Sequence, residues 1–223
     1  MKTLGALFTA VTLAATISSA FAQQPTTEQV LAKLDEKAKV FTSLEAAIVR
    51  EEVSFGTKTT EKGKMYLKPT KSGPYALIDI SEPKARATKG LVKDGTAILY
   101  SASTNTYRRH KVDPKNDQFQ LLLMGFGVPS STIKKFYTPA VTGQETIDKV
   151  RAVVLELTPV SPQSSKFAKI TLWVDPGTWI PVQTRLTEIS KDYFDFRYSN
   201  MKLNKGVSDS TFKIDLPKNA KQQ

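Results

Sequence analysis

Hydrophobic and polar residues alternate along most of this chain. In residues 44–55, Val49, Val53 and Phe55 fall on one side of the alternation and Arg50 falls on the other. Successive side chains of a β-strand point to opposite faces, so a period of two predicts a strand with one apolar face. The pattern predicts ten or eleven strands in all, at residues 44–55, 63–68, 75–81, 87–93, 97–101, 106–112, 149–158, 170–174, 180–189, 193–203 and 209–216.

Short polar segments separate these runs. Asp94 and Gly95 stand between two alternating runs and predict a tight hairpin. Residues 56–62 are polar and predict a turn, and residues 115–137 are the one long interruption of the strand pattern. Short connections between successive strands favour a single antiparallel sheet. We therefore predict a mainly β (α+β) domain, a strongly curved sheet with helices gathered on one face.

Two helices are predicted from apolar residues that recur every three or four positions. In residues 25–41, Val30, Leu31 and Leu34 share one face, and Thr27 is the predicted N-cap. A second, shorter helix is predicted over residues 130–137, with a serine as its cap.

Residues 117–128 form a short apolar segment within the long interruption. They concentrate large apolar side chains between Phe119 and Phe126, while Gly125, Gly127 and Pro129 prevent a long helix. Two interpretations stay open. The segment either closes an ordinary core, or it lies as a removable lid over a binding site on the concave face of the sheet.

The first residues predict export. Lys2 precedes an uncharged apolar stretch, and Ala20, Phe21 and Ala22 fit a small-x-small cleavage site. We predict a signal peptide at residues 1–22, a single domain at residues 23–223, and a periplasmic location. The apolar stretch is shorter than a spanning helix requires. Position 23 is Gln23 rather than the cysteine that carries a lipid anchor, so the protein is not expected to be lipidated.

The chain carries a formal net charge of +11. A charge of this size attracts polyanions, which for an exported protein are anionic lipid head groups or acidic partners rather than nucleic acid. The lysines are spread along the chain and form no long block of like charge. A solvated surface that keeps the protein soluble is the interpretation that we favour.

The sequence offers little chemistry for catalysis. There is no cysteine and one histidine, His110, so the usual ligands of a transition metal are missing and no cofactor is expected. The carboxylate pair Glu51 and Glu52, and the pair Asp192 and Asp195, diverge on their strands and are predicted to be surface charges. We predict that the protein is not an enzyme.

The order of motifs resembles that of the periplasmic outer-membrane lipoprotein carrier family, LolA, over the whole mature chain. The amino-terminal helix leads into the first strand, and the strand-turn-strand at residues 91–100 is similar to the family's motif around Asp-Gly. The apolar lid segment of the family resembles residues 119–124. Further similar stretches are residues 63–69, 170–175, 180–182 and 212–217.

The resemblance implies an incomplete β-barrel with a helical lid over an apolar cavity that holds the acyl chains of lipoproteins. It also implies an inner-membrane lipoprotein-releasing transporter that loads the carrier and an outer-membrane receptor that unloads it. In the best-known branch of the family, an arginine that precedes the proline of the strand similar to residues 63–69 holds the lid closed. The corresponding proline here is Pro69, and Lys68 precedes it. Lysine lacks the planar fork of arginine, so Lys68 is predicted as a lid latch of a different kind.

We therefore predict a periplasmic carrier of lipoprotein acyl chains. The open alternatives are a carrier of another lipid (phospholipid or glycolipid) and an envelope sensor of the same fold that binds a protein partner. The predicted lipid-binding residues are Leu67, Ile78, Leu99, Leu121, Leu122, Met124 and Phe126.

Overall fold

A computed structural model describes residues 24–71, 73–112 and 125–223. Two α-helices are described, α1 (Thr27–Val40) and α2 (Ser130–Phe136), and neither is long and apolar enough to cross a membrane. The strands are β1 (Leu44–Ser54), β2 (Thr57–Lys68), β3 (Tyr75–Glu82), β4 (Thr88–Lys93), β5 (Thr96–Ser101), β6 (Thr106–Lys111), β7 (Tyr137–Ile147), β8 (Val150–Pro159), β9 (Phe167–Asp175), β10 (Ile180–Glu188), β11 (Tyr193–Leu203) and β12 (Lys221–Gln222).

All twelve described strands belong to one sheet, in the order β12-β6-β5-β4-β3-β2-β1-β11-β10-β9-β8-β7. Strands β1 to β6 form one antiparallel meander and β7 to β11 form another. The two meanders are joined because β1 pairs with β2 on one side and with β11 on the other. The two edges, β7 and β12, do not pair with each other, so the predicted fold class of an incomplete barrel is confirmed. One pair departs from the prediction, since β12 runs parallel to β6.

The helices make their main contacts with each other and with β7, at one edge of the sheet. Helix α1 begins with a capping box between Thr26 and Gln29, so the cap lies one residue before the predicted Thr27. An ion pair between Lys134 and Glu28 and the hydrogen bonds that Ser130 donates to Asp35 tie the helices together. These contacts fix both helices at the β7 end.

The face of the sheet that carries Ile48 of β1 is the inner face, and the opposite face is the outer face. Apolar side chains of α1 and of the inner face of β1, β8 and β9 form the main core. Burial of this surface stabilises the fold by roughly 25 cal/mol per Å² of apolar area. Its fully buried large members include Leu31, Leu44, Ile48, Leu67, Ile80, Phe126, Ile133, Leu155, Leu157, Ile170 and Leu172.

The C-terminal segment, residues 207–214, packs on the outer face. Phe212 is buried against Leu77 and Leu91, and its ring meets that of Tyr75 edge-on at 5.6 Å between centroids. The predicted strand at residues 209–216 was therefore wrong. Its alternation is real, because Phe212 and Ile214 contact the sheet, but the segment lies across the outer face without pairing as a strand.

Three other predictions of secondary structure need correction. Residues 57–62 continue β2 instead of forming a turn, and the turn is confined to Phe55 and Gly56. Strand β7, which contains Pro139 and Gly143, was not predicted as a strand in its own right. The two-residue β12 lies in a lysine-rich end that was predicted to follow the last strand.

Asp195 is fully buried rather than a surface charge as predicted. Its Oδ2 accepts hydrogen bonds from Gln183 and Arg185, at 2.8 and 2.7 Å, and the guanidinium of Arg185 stacks over the rings of Trp173 and Tyr193. Burial raises the pKa of Asp195, although the Arg185 hydrogen bond opposes the shift. The outer face therefore contains a buried charged cluster that alternation alone does not indicate.

Candidate functional site

An apolar groove lies on the inner face of β3, β4 and β5, at the end of the sheet away from the helices. The strand register aligns Ile78, Gly90 and Leu99 in one row across these strands. A parallel row contains Ala76, Val92 and Ala97. Directly opposed residues of neighbouring strands share a face, so these six side-chain positions form one continuous surface.

The groove has a volume of about 200 Å³ and is lined almost entirely by apolar residues. Gly90 deepens it, because a Cβ at that position would have Leu99 Cδ1 as its nearest neighbour at 3.9 Å. A larger residue would fill part of the space between Ile78 and Leu99. The missing side chain is thus what separates the walls of the groove.

Exposure of the apolar side chains distinguishes the groove from the rest of the inner face. Leu99 is 50% exposed and Ile78 is half-buried, whereas Leu155 and Leu172 on β8 and β9 are fully buried. Adjacent exposed apolar residues mark a surface that binds an apolar partner more often than isolated ones do.

A polar end adjoins the groove near the turn between β5 and β6. It has a volume of about 300 Å³, and its lining comprises Leu99, Ser101, Thr104, Thr106, Tyr107, Arg108 and Gln223. Leu99 lines both spaces, so they lie side by side on the inner face. His110 lies at the groove, next to Ala97 in register.

Of the seven predicted lipid-binding residues, four lie in the described part of the chain, all on the inner face. Ile78 and Leu99 line the groove. Leu67 is fully buried in the main core, and Phe126 is buried with its ring edge-on to Tyr198, 5.2 Å between centroids. The other three, Leu121, Leu122 and Met124, lie outside the described residues.

Lys68 lies on the outer face, opposite Tyr75 in register. Its ammonium group donates to Asp209 Oδ1 at 2.6 Å and to the carbonyl of Val207 at 3.3 Å. This hydrogen bond and the positive charge lower the pKa of the Asp209 carboxyl. The contacts described here therefore attach the C-terminal segment, and the role of Lys68 as a lid latch stays a prediction.

Gly125 and Gly127, which follow residues 119–124 of the predicted lid, are held in close packing. Gly125 has φ +82° and Gly127 has φ +91°, a region that favours glycine. A Cβ on Gly125 would overlap Pro181 of β10, and one on Gly127 would lie 2.8 Å from the ring of Phe41. The turn that contains Gly125 and Gly127 therefore packs directly against the core, between Pro181 of β10 and Phe41 at the end of α1.

Sequence reasoning missed Arg108 and His110 as neighbours of the groove. Both belong to the basic run at residues 107–111, and only the pairing of β6 with β5 shows that these two face inwards. No group of three or more His, Asp or Glu side chains suited to a metal ion occurs among the described residues. The site is thus apolar with a basic, hydroxyl-rich end.

Comparison with solved structures supports the fold. An uncharacterized conserved protein from Thermus thermophilus is 12% identical over 88% of this chain and 97% of its own, with a TM-score of 0.56. MucB is 13% identical over 84% of this chain, with a TM-score of 0.52, and the match spans 62% of MucB. A LolA superfamily protein from Nitrosomonas europaea is 17% identical over 86% of this chain and 99% of its own, with a TM-score of 0.42. At these identities, the similarities to the Thermus thermophilus protein and to MucB show a shared fold.

A protein-family model described as that of an uncharacterized protein matches residues 74–194, just over half of the chain. The chain belongs to that family. No curated protein matches its sequence. The matched region begins just before β3 and ends within β11, so it contains the groove.

Proposed function

We propose that this protein is a periplasmic carrier that binds acyl chains in the groove on the inner face of β3 to β5. The observation that carries the proposal is the set of adjacent, half-exposed apolar side chains around Gly90, above all Leu99 and Ile78. A site of this composition binds by excluding water from apolar surface, which suits a hydrocarbon chain.

The energetics agree with a carrier of moderate affinity. The groove volume of about 200 Å³ is that of about seven groups of water size, and a methylene group is of similar size. At about 0.8 kcal/mol per buried methylene, seven of them gain about 5–6 kcal/mol. The entropic cost of binding reduces this value. Binding of part of one chain is therefore favourable and still reversible.

The cargo we propose first is the acylated end of lipoproteins, moved from the inner to the outer membrane. The resemblance to the LolA family supports this cargo and implies a releasing transporter in the inner membrane and a receptor in the outer membrane as partners. The predicted signal peptide supports the location. A phospholipid or glycolipid suits the same groove.

The test is native mass spectrometry of the mature protein, purified without detergent from the periplasm of its own cells. A bound acylated lipoprotein or lipid at near-stoichiometric level is the expected result. A protein with an empty groove and a stable protein partner would overturn the proposal in favour of an envelope sensor. MucB, which shares the fold, has itself been solved in complex with MucA.

A further inference from the structure

The groove does not end in apolar surface at the edge of the sheet. In the row that contains Ile78, Gly90 and Leu99, the next residue is Arg108 on β6. In the neighbouring row, Ser101 stands opposite Thr106. Moving across the inner face from β3 to β6, the lining therefore changes from hydrocarbon to hydroxyl groups and a guanidinium over three strand spacings, roughly 14 Å.

The polar end has unused hydrogen-bonding capacity. Arg108 donates from Nε to Gln223 Oε1 at 3.3 Å and forms no ion pair with an acidic residue among those described. None of the described residues that line the two spaces is acidic. An arginine presents five donors in a planar fork that matches carboxylate and phosphate groups, so Arg108 retains donors for an anion.

Hydroxyl groups reinforce this chemistry. Thr104 and Thr106 share a hydrogen bond of 2.7 Å between their Oγ1 atoms, which fixes both hydroxyls at the same end of the groove. A hydroxyl can donate one hydrogen bond and accept others. Together with Arg108, they give a phosphate or carboxylate several donors within one small space.

We propose that the groove binds a lipid with an anionic head group, with the acyl chain over Ile78, Gly90 and Leu99 and the phosphate or carboxylate at Arg108. Because the two spaces adjoin at Leu99, a single ligand can place its chain in one and its head group in the other. This inference rests on the proposed function and narrows its cargo. It favours an anionic lipid over an uncharged glycolipid, and also over the acylated end of a lipoprotein, which has no anionic head group.

The test compares ligands that share one chain and differ in the head. Calorimetry below the critical micelle concentration gives the affinities of the mature protein for dodecyl phosphate, dodecyl maltoside and inorganic phosphate. Dodecyl phosphate is expected to bind about tenfold more tightly than dodecyl maltoside. One charge-assisted hydrogen bond at a partly exposed site contributes an affinity difference of about this size. Added salt is expected to reduce this preference, since it screens charges at the surface.

Matched variants of β6 identify the residue responsible. Arg108→Gln is expected to lower the affinity for dodecyl phosphate about tenfold and to leave that for dodecyl maltoside unchanged. Arg109→Gln is the control, because Arg109 is the next residue on the strand, faces outwards and lies 6.0 Å from the ring of Tyr107. It removes the same net charge, and Arg109 itself lines neither of the two spaces.

The outcomes separate the two proposals. Equal affinity for both dodecyl ligands, or equal loss in the two variants, would overturn the anionic-lipid inference and leave the carrier intact. Absence of binding by either dodecyl ligand would overturn the carrier proposal itself. Inorganic phosphate that binds as tightly as dodecyl phosphate would show an anion site without a role for the chain, and would also contradict the inference.

Discussion

Leu99 gives a direct way to separate ligand binding from folding. The side chain is 50% exposed, so about half of its surface remains available to contact an acyl chain. Full burial of a leucine side chain is worth about 1.5–3 kcal/mol, and the exposed half therefore corresponds to about 1 kcal/mol. Leu99→Ala is expected to weaken binding by nearly that amount, about fivefold.

Ile189 provides the matched control. It is also a large aliphatic residue, 68% exposed, and it lies just beyond β10, far from the groove in strand order. Because both side chains are at least half exposed, Leu99→Ala and Ile189→Ala are each expected to lower the free energy of unfolding by at most about 1 kcal/mol. Urea denaturation measures that change.

The binding assay is calorimetric titration of each variant with dodecyl maltoside below its critical micelle concentration. An uncharged head group isolates the contribution of the chain. If Leu99→Ala bound as tightly as Ile189→Ala, the exposed half of Leu99 would not be in contact with the ligand, and the groove would not be its binding site.

Three further predictions concern other parts of the structure. Gly125→Ala is expected to destabilise the fold by about 2 kcal/mol in urea denaturation, because of its positive φ and the overlap with Pro181; Gly206→Ala, with a positive φ but open space, should cost less. Burial raises the pKa of Asp195 above 3.8, so the stability it contributes is complete below pH 3.8 and is lost as pH rises through the raised value. Asp195→Asn should flatten that part of the stability–pH curve, and an unchanged slope would mean another group is responsible. Lys68→Leu should increase hydrogen exchange in the C-terminal segment, while a changed rate of ligand release would support the latch role instead.

The strands that sequence predicts best are those with local turn signals. The hairpin at Asp94 and Gly95 is confirmed, and both residues have the positive φ values, 48° and 67°, that a tight turn of this kind requires. Once that turn is set, the register of β4 against β5 follows. The pairing of β1 with β11 joins residues about 150 positions apart, and no local pattern specifies it.

Polarity explains the strands that were missed. Residues 57–62 pair with the end of β1, but most of these side chains are exposed on both faces, so no apolar alternation marks them. Strand β7 lies at the edge of the sheet, where Pro139 and Gly143 are tolerated. Residues 57–62 are strand because β1 supplies hydrogen bonds to them. In β7, the residues that contact the core, Tyr137 and Val141, lie only in its first half, so the apolar pattern there is short.

The polar end of the groove could not be predicted from the sequence, because it depends on which residues of β6 face inwards. In the sequence, Arg108, Arg109 and His110 are one basic run. On β6, alternate residues face opposite sides, so Arg108 and His110 face the groove and Arg109 faces outwards. Sequence reasoning therefore indicated apolar candidates such as Ile78 and Leu99 but not the charged groups beside them.

Photo-crosslinking with a fatty acid that carries a diazirine near its methyl end identifies the residues that contact an acyl chain. The mature protein is loaded with the probe, irradiated and digested, and the modified residues are mapped by mass spectrometry. If the chain binds in the groove, we expect modification of groove residues on β3, β4 and β5, above all Ile78 and Leu99, and loss of labelling when unlabelled dodecyl maltoside is added in excess. Modification confined to the outer face, or labelling that the competitor does not reduce, would contradict binding in the groove.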